Sequence, residues 1–254
     1  MTALGNRHIN RRTALKTGAA AAGLAATGLI SHRSRAAGTQ TVNMQLGWLA
    51  GNNQAGEVAA KYLGYFEEEK INLAIQPGGP TIDGVAIVAS GRCEIGQVSS
   101  SPSLMLAASQ KIPVQCFAVG AQRHPYAYFS LPAKPVRKPQ DLIGKKVGVQ
   151  ATAKILLAAL LKKNNIAEKD VEVVIIGSEM TPVLTGQTDV VSGWVTNTTT
   201  LKVLGPQRID LMLWDTGIRL YALPYYATQD TIKHKPEMLA GFVRPHLYCL
   251  PILK

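Results

Sequence analysis

Cysteine is scarce in this sequence: Cys93, Cys116 and Cys249 are the whole complement of 254 residues, odd in number, far apart and without a CxxC pair. That usage indicates neither a disulfide framework nor a zinc cluster, and it reads as small buried hydrophobes. His124 and His234 stand mid-chain without a second histidine at ligand spacing, so no metal site is expected. GxSxG, HExxH and P-loop motifs are missing, as is a GxGxxG followed by an acid, which removes the common hydrolase, zincin and nucleotide-binding signatures. No cofactor is expected.

Acidic residues are also few, 16 Asp+Glu against 27 Lys+Arg, for a formal charge of +11. Position decides what this means. Residues 1–36 contain six basic residues (Arg7, Arg11, Arg12, Lys16, Arg33 and Arg35) and no acid, and the rest of the chain is only +5. The pairs Lys145-Lys146 and Lys162-Lys163 read as solvated faces, so nucleic acid is not expected as a partner. At 46% hydrophobic and 17% charged residues, disorder is excluded and a globular core of one large or two small domains is affordable.

The basic start has a pattern. Arg11-Arg12 precedes residues 18–30, thirteen weakly apolar residues without a charge, and Ser34-Arg35-Ala36 supplies a small-x-small cleavage pattern. Thirteen residues span only about 20 Å as a helix against about 30 Å of hydrocarbon, which suits a signal h-region and not an anchor. The paired arginines resemble a twin-arginine signal, so export of the folded protein to the periplasm and cleavage near Ala36 are expected.

From residue 42 onward, short apolar runs alternate with helical patterns, the sequence form of βα units on a mainly parallel sheet. Strands are predicted at 42–46, 72–76, 94–98 and 114–119, and helices at 56–66, 81–90 and from an Ser101 N-cap with Pro102 at the first helical position. The first of these helices is expected to bury Val58, Ala59, Tyr62, Leu63 and Phe66. Residues 132–139 carry three prolines and three basic residues, a link no core element would tolerate. The rhythm then restarts, with strands at 146–150, 171–176, 189–193 and 210–214 and helices at 153–164, 180–184 and 198–204.

Four segments in this order carry a resemblance: Gly64-Tyr65-Phe66-Glu67-Glu68-Glu69, Ala89-Ser90-Gly91-Arg92-Cys93-Glu94-Ile95-Gly96, Asp141-Leu142-Ile143-Gly144-Lys145-Lys146-Val147-Gly148-Val149, and Gly186-Gln187-Thr188-Asp189-Val190-Val191. Together, over about residues 42–243, they resemble the extracytoplasmic solute-binding proteins of the NMT1/THI5-like family, which includes sulfonate, nitrate and thiamine-pyrimidine-precursor binders. The resemblance implies an α/β chain with the type II periplasmic-binding-protein fold, two lobes joined by two crossings. Lobe 1 would be 37–128 plus 222–254 and lobe 2 129–221, with crossings near 128–131 and 219–223. Two departures stand out. Lys70-Ile71 replaces the usual Gly-Leu, and Pro245 is expected to end a helix begun at Lys235, leaving residues 246–254 as an apolar tail without helical pattern, as in a truncated or frame-shifted chain.

In open α/β sheets ligands sit beyond the carboxyl ends of the strands, so the loops there hold the candidates. Trp48, Asn52 and Asn53 follow the first strand and could stack on and hydrogen-bond a planar ligand, the alternative for Trp48 being ordinary core packing. Gly79-Pro80 offers close backbone approach or a plain turn. Ser99, Ser100 and Ser101 offer hydroxyls and unpaired N–H groups for an anionic or carbonyl oxygen, or simply cap a helix. In the second half, Gln150 and Thr152 occupy the equivalent place. Trp194, Asn197 and Asp215 follow later strands, Asp215 as a partner for a ligand amine or as a turn cap, and Tyr226 lies near the second crossing.

The resulting expectation is a monomeric, non-enzymatic binding protein that captures a small planar or anionic nutrient and passes it to an inner-membrane ABC permease. Trp48, Trp194 and Asp215 together favour a pyrimidine-like compound over a sulfonate or nitrate. The rivals are a pyrimidine-precursor synthase-like enzyme of the same family, although the cysteine-rich motif is missing, and a nonfunctional truncated paralogue.

Overall fold

Two five-stranded sheets organise residues 38–249, the part of the chain that the computed structural model describes. The leader and the last five residues of the expected apolar tail lie outside the described residues. β1 (Gln40–Leu46), β2 (Ile71–Gln76), β3 (Ile95–Gln97) and β4 (Val114–Ala121) belong to the first sheet, and β5 (Tyr126–Ser130), β6 (Lys146–Val149), β7 (Glu172–Ile175), β8 (Val190–Trp194) and β9 (Ile209–Met212) form the second. β10 (Ala222–Thr228) returns to the first. The strand orders are β2-β1-β3-β10-β4 and β7-β6-β8-β5-β9. Each sheet is a parallel trio extended by one antiparallel strand, β10 against β3 and β4 in the first and β5 against β8 and β9 in the second.

Burial places the strands in the core. Val42, Met44 and Leu46 of β1 and Val147 and Val149 of β6 are buried, and their spacing of two puts each set on one face of its strand. The helices that cover them are α1 (Ala55–Tyr62), α2 (Tyr65–Glu68), α3 (Gly84–Ala89), α4 (Ser101–Ser109), α5 (Lys154–Lys163), α6 (Thr181–Leu184), α7 (Thr198–Leu201), α8 (Gln229–His234) and α9 (Pro236–Cys249). Asp83 caps α3 by accepting from the Ala86 N–H, and Gly91 beyond it takes the left-handed conformation that a β-carbon would disfavour. None of the described helices is long and apolar enough to cross a membrane.

Four expectations need correction. The helix predicted over 56–66 breaks at Gly64, which is left-handed, into α1 and α2. α1 also turns another face inward: Glu57 and Ala60 are buried, while Val58, Tyr62 and Leu63 are exposed. Periodicity misplaced that face because Glu57, a charged residue, is accepted into the core by hydrogen bonds described below. The N-cap of α4 is Ser100, one residue earlier than expected.

Pro245, finally, does not end the last helix, which runs on to Cys249. Proline removes one backbone donor, but side chains hold this helix on both sides of the gap. Arg244 grips Glu69 through a two-pronged contact of 2.7 and 2.6 Å, and His246 Nδ1 lies 2.8 Å from the Phe242 carbonyl. Phe242, fully buried, stacks 6.0 Å from Phe66 and meets Tyr225 edge-to-face at 5.3 Å.

The two antiparallel strands were not foreseen as strands. β5 (Tyr-Ala-Tyr-Phe-Ser) is buried throughout, without the alternation that marks a half-exposed strand. β10 contains Pro224, which argues against a central strand; the chain admits it beside Leu223, whose φ is +52°, and next to a register shift at Tyr225/Tyr226. The crossings follow from these strands. The chain leaves the first sheet after Ala121 and enters the second at Tyr126, and it returns between Met212 and Ala222.

Candidate functional site

A cleft of about 180 Å³ opens where loops from the two sheets face each other. Gly47, Trp48 and Asn53 enter it from the end of β1, Gln97 and Ser99 from β3, and Ser100 and Ser103 from the start of α4. From the second sheet come Tyr126, Gln150, Thr152, Gly193, Trp194 and Asn197, with His124 from the crossing before β5. This is the carboxyl-end placement expected of an open α/β sheet. Space of this size suits a molecule smaller than the drug-sized ligands of 300–1,000 Å³ pockets.

The lining is uncharged: it contains no Asp, Glu, Lys or Arg. Its one titratable imidazole, His124, is fully buried, and burial alone pulls its pKa down to about 4, so the ring is neutral. Trp194 lies 5.2 Å from that ring, and Tyr126 meets it edge-on at 6.1 Å. Trp48 and Trp194, both half-buried, give the cleft aromatic surface on each side.

Hydrogen bonds organise the floor. The Tyr126 hydroxyl lies 2.7 Å from Ser192 Oγ and 2.9 Å from Gln150 Oε1, while Gln150 Nε2 donates to the carbonyls of Gly177 and Ser192. Burial, the larger influence, raises the Tyr126 pKa, against the opposing Ser192 contact. Beneath the other wall, Gln54 Nε2 donates to Gln97 Oε1, and Gln97 Nε2 donates to buried Glu57, both at 2.8 Å. The Tyr225 hydroxyl donates to the same Glu57 oxygen at 2.6 Å, and the Gly51 N–H donates to Gln54 Oε1. A buried carboxylate thus orients two glutamines that shape the cleft and the loop before Asn53.

Two contacts join the loops of opposite sheets. Asn52 Nδ2 donates to the Thr196 carbonyl at 3.1 Å, and Thr196 Oγ1 donates to Asn53 Oδ1 at 2.9 Å. The cleft is therefore closed along this edge.

Of the residues expected at a site, Trp48, Asn53, Ser99, Ser100, Gln150, Thr152, Trp194 and Asn197 line the cleft together. Asn52 contributes to the bridging contacts instead. Gly79 and Pro80 do not line the cleft; the close approach is at Gly78, where a β-carbon would fall 2.2 Å from the Leu46 carbonyl oxygen behind Trp48. Ser101 gives its N–H to the Tyr221 carbonyl, and Ser103 gives its own to Ser100, so these helix-start donors are committed, contrary to expectation. Asp215 is a surface residue paired with Arg123 at 2.8 Å, and Arg123 also lies over the Trp214 ring. Tyr226 is core: its ring fills the space where a Gly96 β-carbon would stand.

Sequence reasoning missed His124, Tyr126, Gln97 and Gln54. The sequence offers His124 only as a candidate metal ligand, and among the described residues there is no group of three His, Cys, Asp or Glu that could hold a metal.

The sequence model of the NMT1/THI5-like family matches residues 52–247. The taurine-binding periplasmic protein of Escherichia coli is 34% identical over 149 residues, 53% of this chain and 46% of that protein. A putative thiamine biosynthesis protein of Haemophilus influenzae is 26% identical over 158 residues, 61% of this chain and 50% of that protein. The chain thus matches about half the length of these curated relatives. Among solved structures, the periplasmic aliphatic sulphonate binding protein SsuA of E. coli superposes with a TM-score of 0.65 at 16% identity, covering 82% of this chain and 71% of that one. The alkanesulfonate-binding SsuA of Xanthomonas axonopodis pv. citri, bound to MOPS, gives 0.60 at 17%, covering 83% and 73%. At these identities the structures establish the type II periplasmic-binding fold.

Proposed function

The chain belongs to the NMT1/THI5-like family, and from that premise we propose that it is a periplasmic solute-binding protein that captures a small solute in its cleft and delivers it to an inner-membrane ABC importer. The observation that carries this reading is the cleft itself: uncharged, aromatic-walled, and bridged between the two sheets by Asn52, Asn53 and Thr196. The two sheets with their helices are the proposed lobes, meeting at residues 122–125 and 213–221, and closure of one on the other traps the solute. In this reading the protein works as a monomer, and residues 1–36 act as a twin-arginine export signal. Binding, not catalysis, is its role.

The proposed solute is a small organosulfonate. Supporting this are the taurine- and sulfonate-binding names of the relatives and a cleft that offers neutral hydroxyl and ring donors to weakly basic oxygens. A pyrimidine-like compound is the second reading, favoured by Trp48 and Trp194 as surfaces for a flat ring. Asp215, which favoured an amine-bearing ring, is tied to Arg123 outside the cleft. With no carboxylate in the lining, a ligand ammonium group would be desolvated without a partner, a cost of several kcal/mol. Ethanesulfonate should therefore bind more tightly than taurine.

A thermal-shift panel of ethanesulfonate, taurine, nitrate and 4-amino-2-methylpyrimidine tests the reading. A ligand at 100 times its Kd stabilises by about 2.7 kcal/mol, a readily measured shift. Ethanesulfonate should give the largest shift, and stabilisation by the pyrimidine alone would transfer the assignment to the second reading.

A further inference from the structure

Most polar groups that line the cleft already have protein partners. Both hydrogens of the Gln150 amide are donated to backbone carbonyls, Gln97 is held between Gln54 and Glu57, and Asn53 Oδ1 accepts from Thr196. Two buried polar atoms of cleft-lining residues stand apart: His124 Nε2 and Ser100 Oγ have no hydrogen-bond partner in the protein.

For the histidine, geometry also fixes the chemistry. The Tyr126 N–H donates to His124 Nδ1 at 3.2 Å, so in the neutral ring the proton resides on Nε2, which is a donor. The ring is fully buried and packed against Trp194 and Tyr126. An unpaired buried donor is unfavourable in the empty protein, and native structures retain one where something else completes it.

We propose that His124 is a ligand-binding residue, whose Nε2–H donates, together with the Ser100 hydroxyl, to an acceptor oxygen of the bound solute. The proposal rests on the binding-protein reading above and assigns the acceptor there to a sulfonate oxygen. Burial keeps the imidazole uncharged at neutral pH, so it selects by donor direction instead of by charge. A solute presenting an N–H at this point would meet another donor and be rejected, which is the stronger form of discrimination available to a buried polar site.

The test uses the mature protein with ethanesulfonate as the probe. His124→Asn keeps an acceptor near the Nδ1 position for the Tyr126 N–H and deletes Nε2, while Ser100→Ala deletes the hydroxyl. Calorimetry should show at least tenfold weaker binding for His124→Asn and a several-fold loss for Ser100→Ala, with unfolding temperatures close to that of the parent. Independently of variants, nitrogen NMR of the imidazole should show an Nε2–H tautomer whose Nε2 resonance moves as ethanesulfonate saturates the protein. Parent-like affinity in a folded His124→Asn, or imidazole resonances unmoved by bound ethanesulfonate, overturns the assignment while leaving the binding-protein reading intact. If the parent itself binds no ethanesulfonate, the sulfonate reading fails, and the oxygen acceptor assigned to His124 falls with it.

Discussion

His124 sets a pH dependence as well as a contact. Its folded pKa of about 4 lies below the usual 6.5, so the unfolded chain takes up the proton first. The stability due to the neutral ring is complete above pH 6.5 and is lost as pH falls towards 4. By linkage the loss amounts to about 3 kcal/mol across that window. Chemical denaturation at several pH values should show this decline, and His124→Asn should flatten it. Glu57 provides the second residue-scale prediction. Replacing it by alanine strands two buried donors, Gln97 Nε2 and the Tyr225 hydroxyl. At about 1–3 kcal/mol for each, Glu57→Ala should lower stability by about 2–6 kcal/mol, read as a fall in unfolding temperature; an unchanged midpoint would show the network to be dispensable. Neither role was readable from the linear sequence, because each depends on partners distant in the chain: Glu57 pairs across 168 positions with Tyr225.

At the scale of elements, the parallel strands and their helices were legible because βα units advertise themselves through apolar runs, caps and glycine stops. Asp83 and Gly91 around α3 are local signals, and they mark that helix in the structure. The antiparallel strands β5 and β10 were not legible, because uniform burial erases alternation and Pro224 argues against a strand. Nor was the continuation of α9 past Pro245, where the rule against proline in a helix is outweighed by the Glu69–Arg244 contact and the Phe66, Tyr225, Phe242 and His246 aromatic cluster. Two variants measure that balance. Phe242→Ala should cost about 3–5 kcal/mol, as for a fully buried aromatic. Pro245→Ala should stabilise by about 1–2 kcal/mol, the helical gain of about 3 kcal/mol less some lost packing. A destabilised Pro245→Ala in denaturant titration would show that the proline ring supplies more contact than its missing donor costs.

Across the whole molecule, the general placement of the cleft could be read from the sequence more readily than its chemistry. Loops at the carboxyl ends of the strands bring eight of the expected residues together in one cleft. Asp215 misled because a charge following a strand carries no label for where its partner lies; Arg123 claims it on the surface. The Asn52, Asn53 and Thr196 contacts link the two halves, so they stabilise the closed arrangement specifically. Thr196→Ala removes one of them and should speed release of bound ethanesulfonate about three- to tenfold, as expected for about 1 kcal/mol of net hydrogen bonding. Stopped-flow displacement would measure this, with little change expected in the unfolding temperature of the free protein. In the proposed function an uncharged cleft captures the solute through neutral donors, without ion pairing. Calorimetric titration with ethanesulfonate at low and high sodium chloride tests it most directly, because attraction between exposed charges is screened by salt. Capture without ion pairing predicts saturable one-to-one binding with Kd changing less than about twofold between the two conditions; absence of binding, or a tenfold loss at high salt, would contradict it.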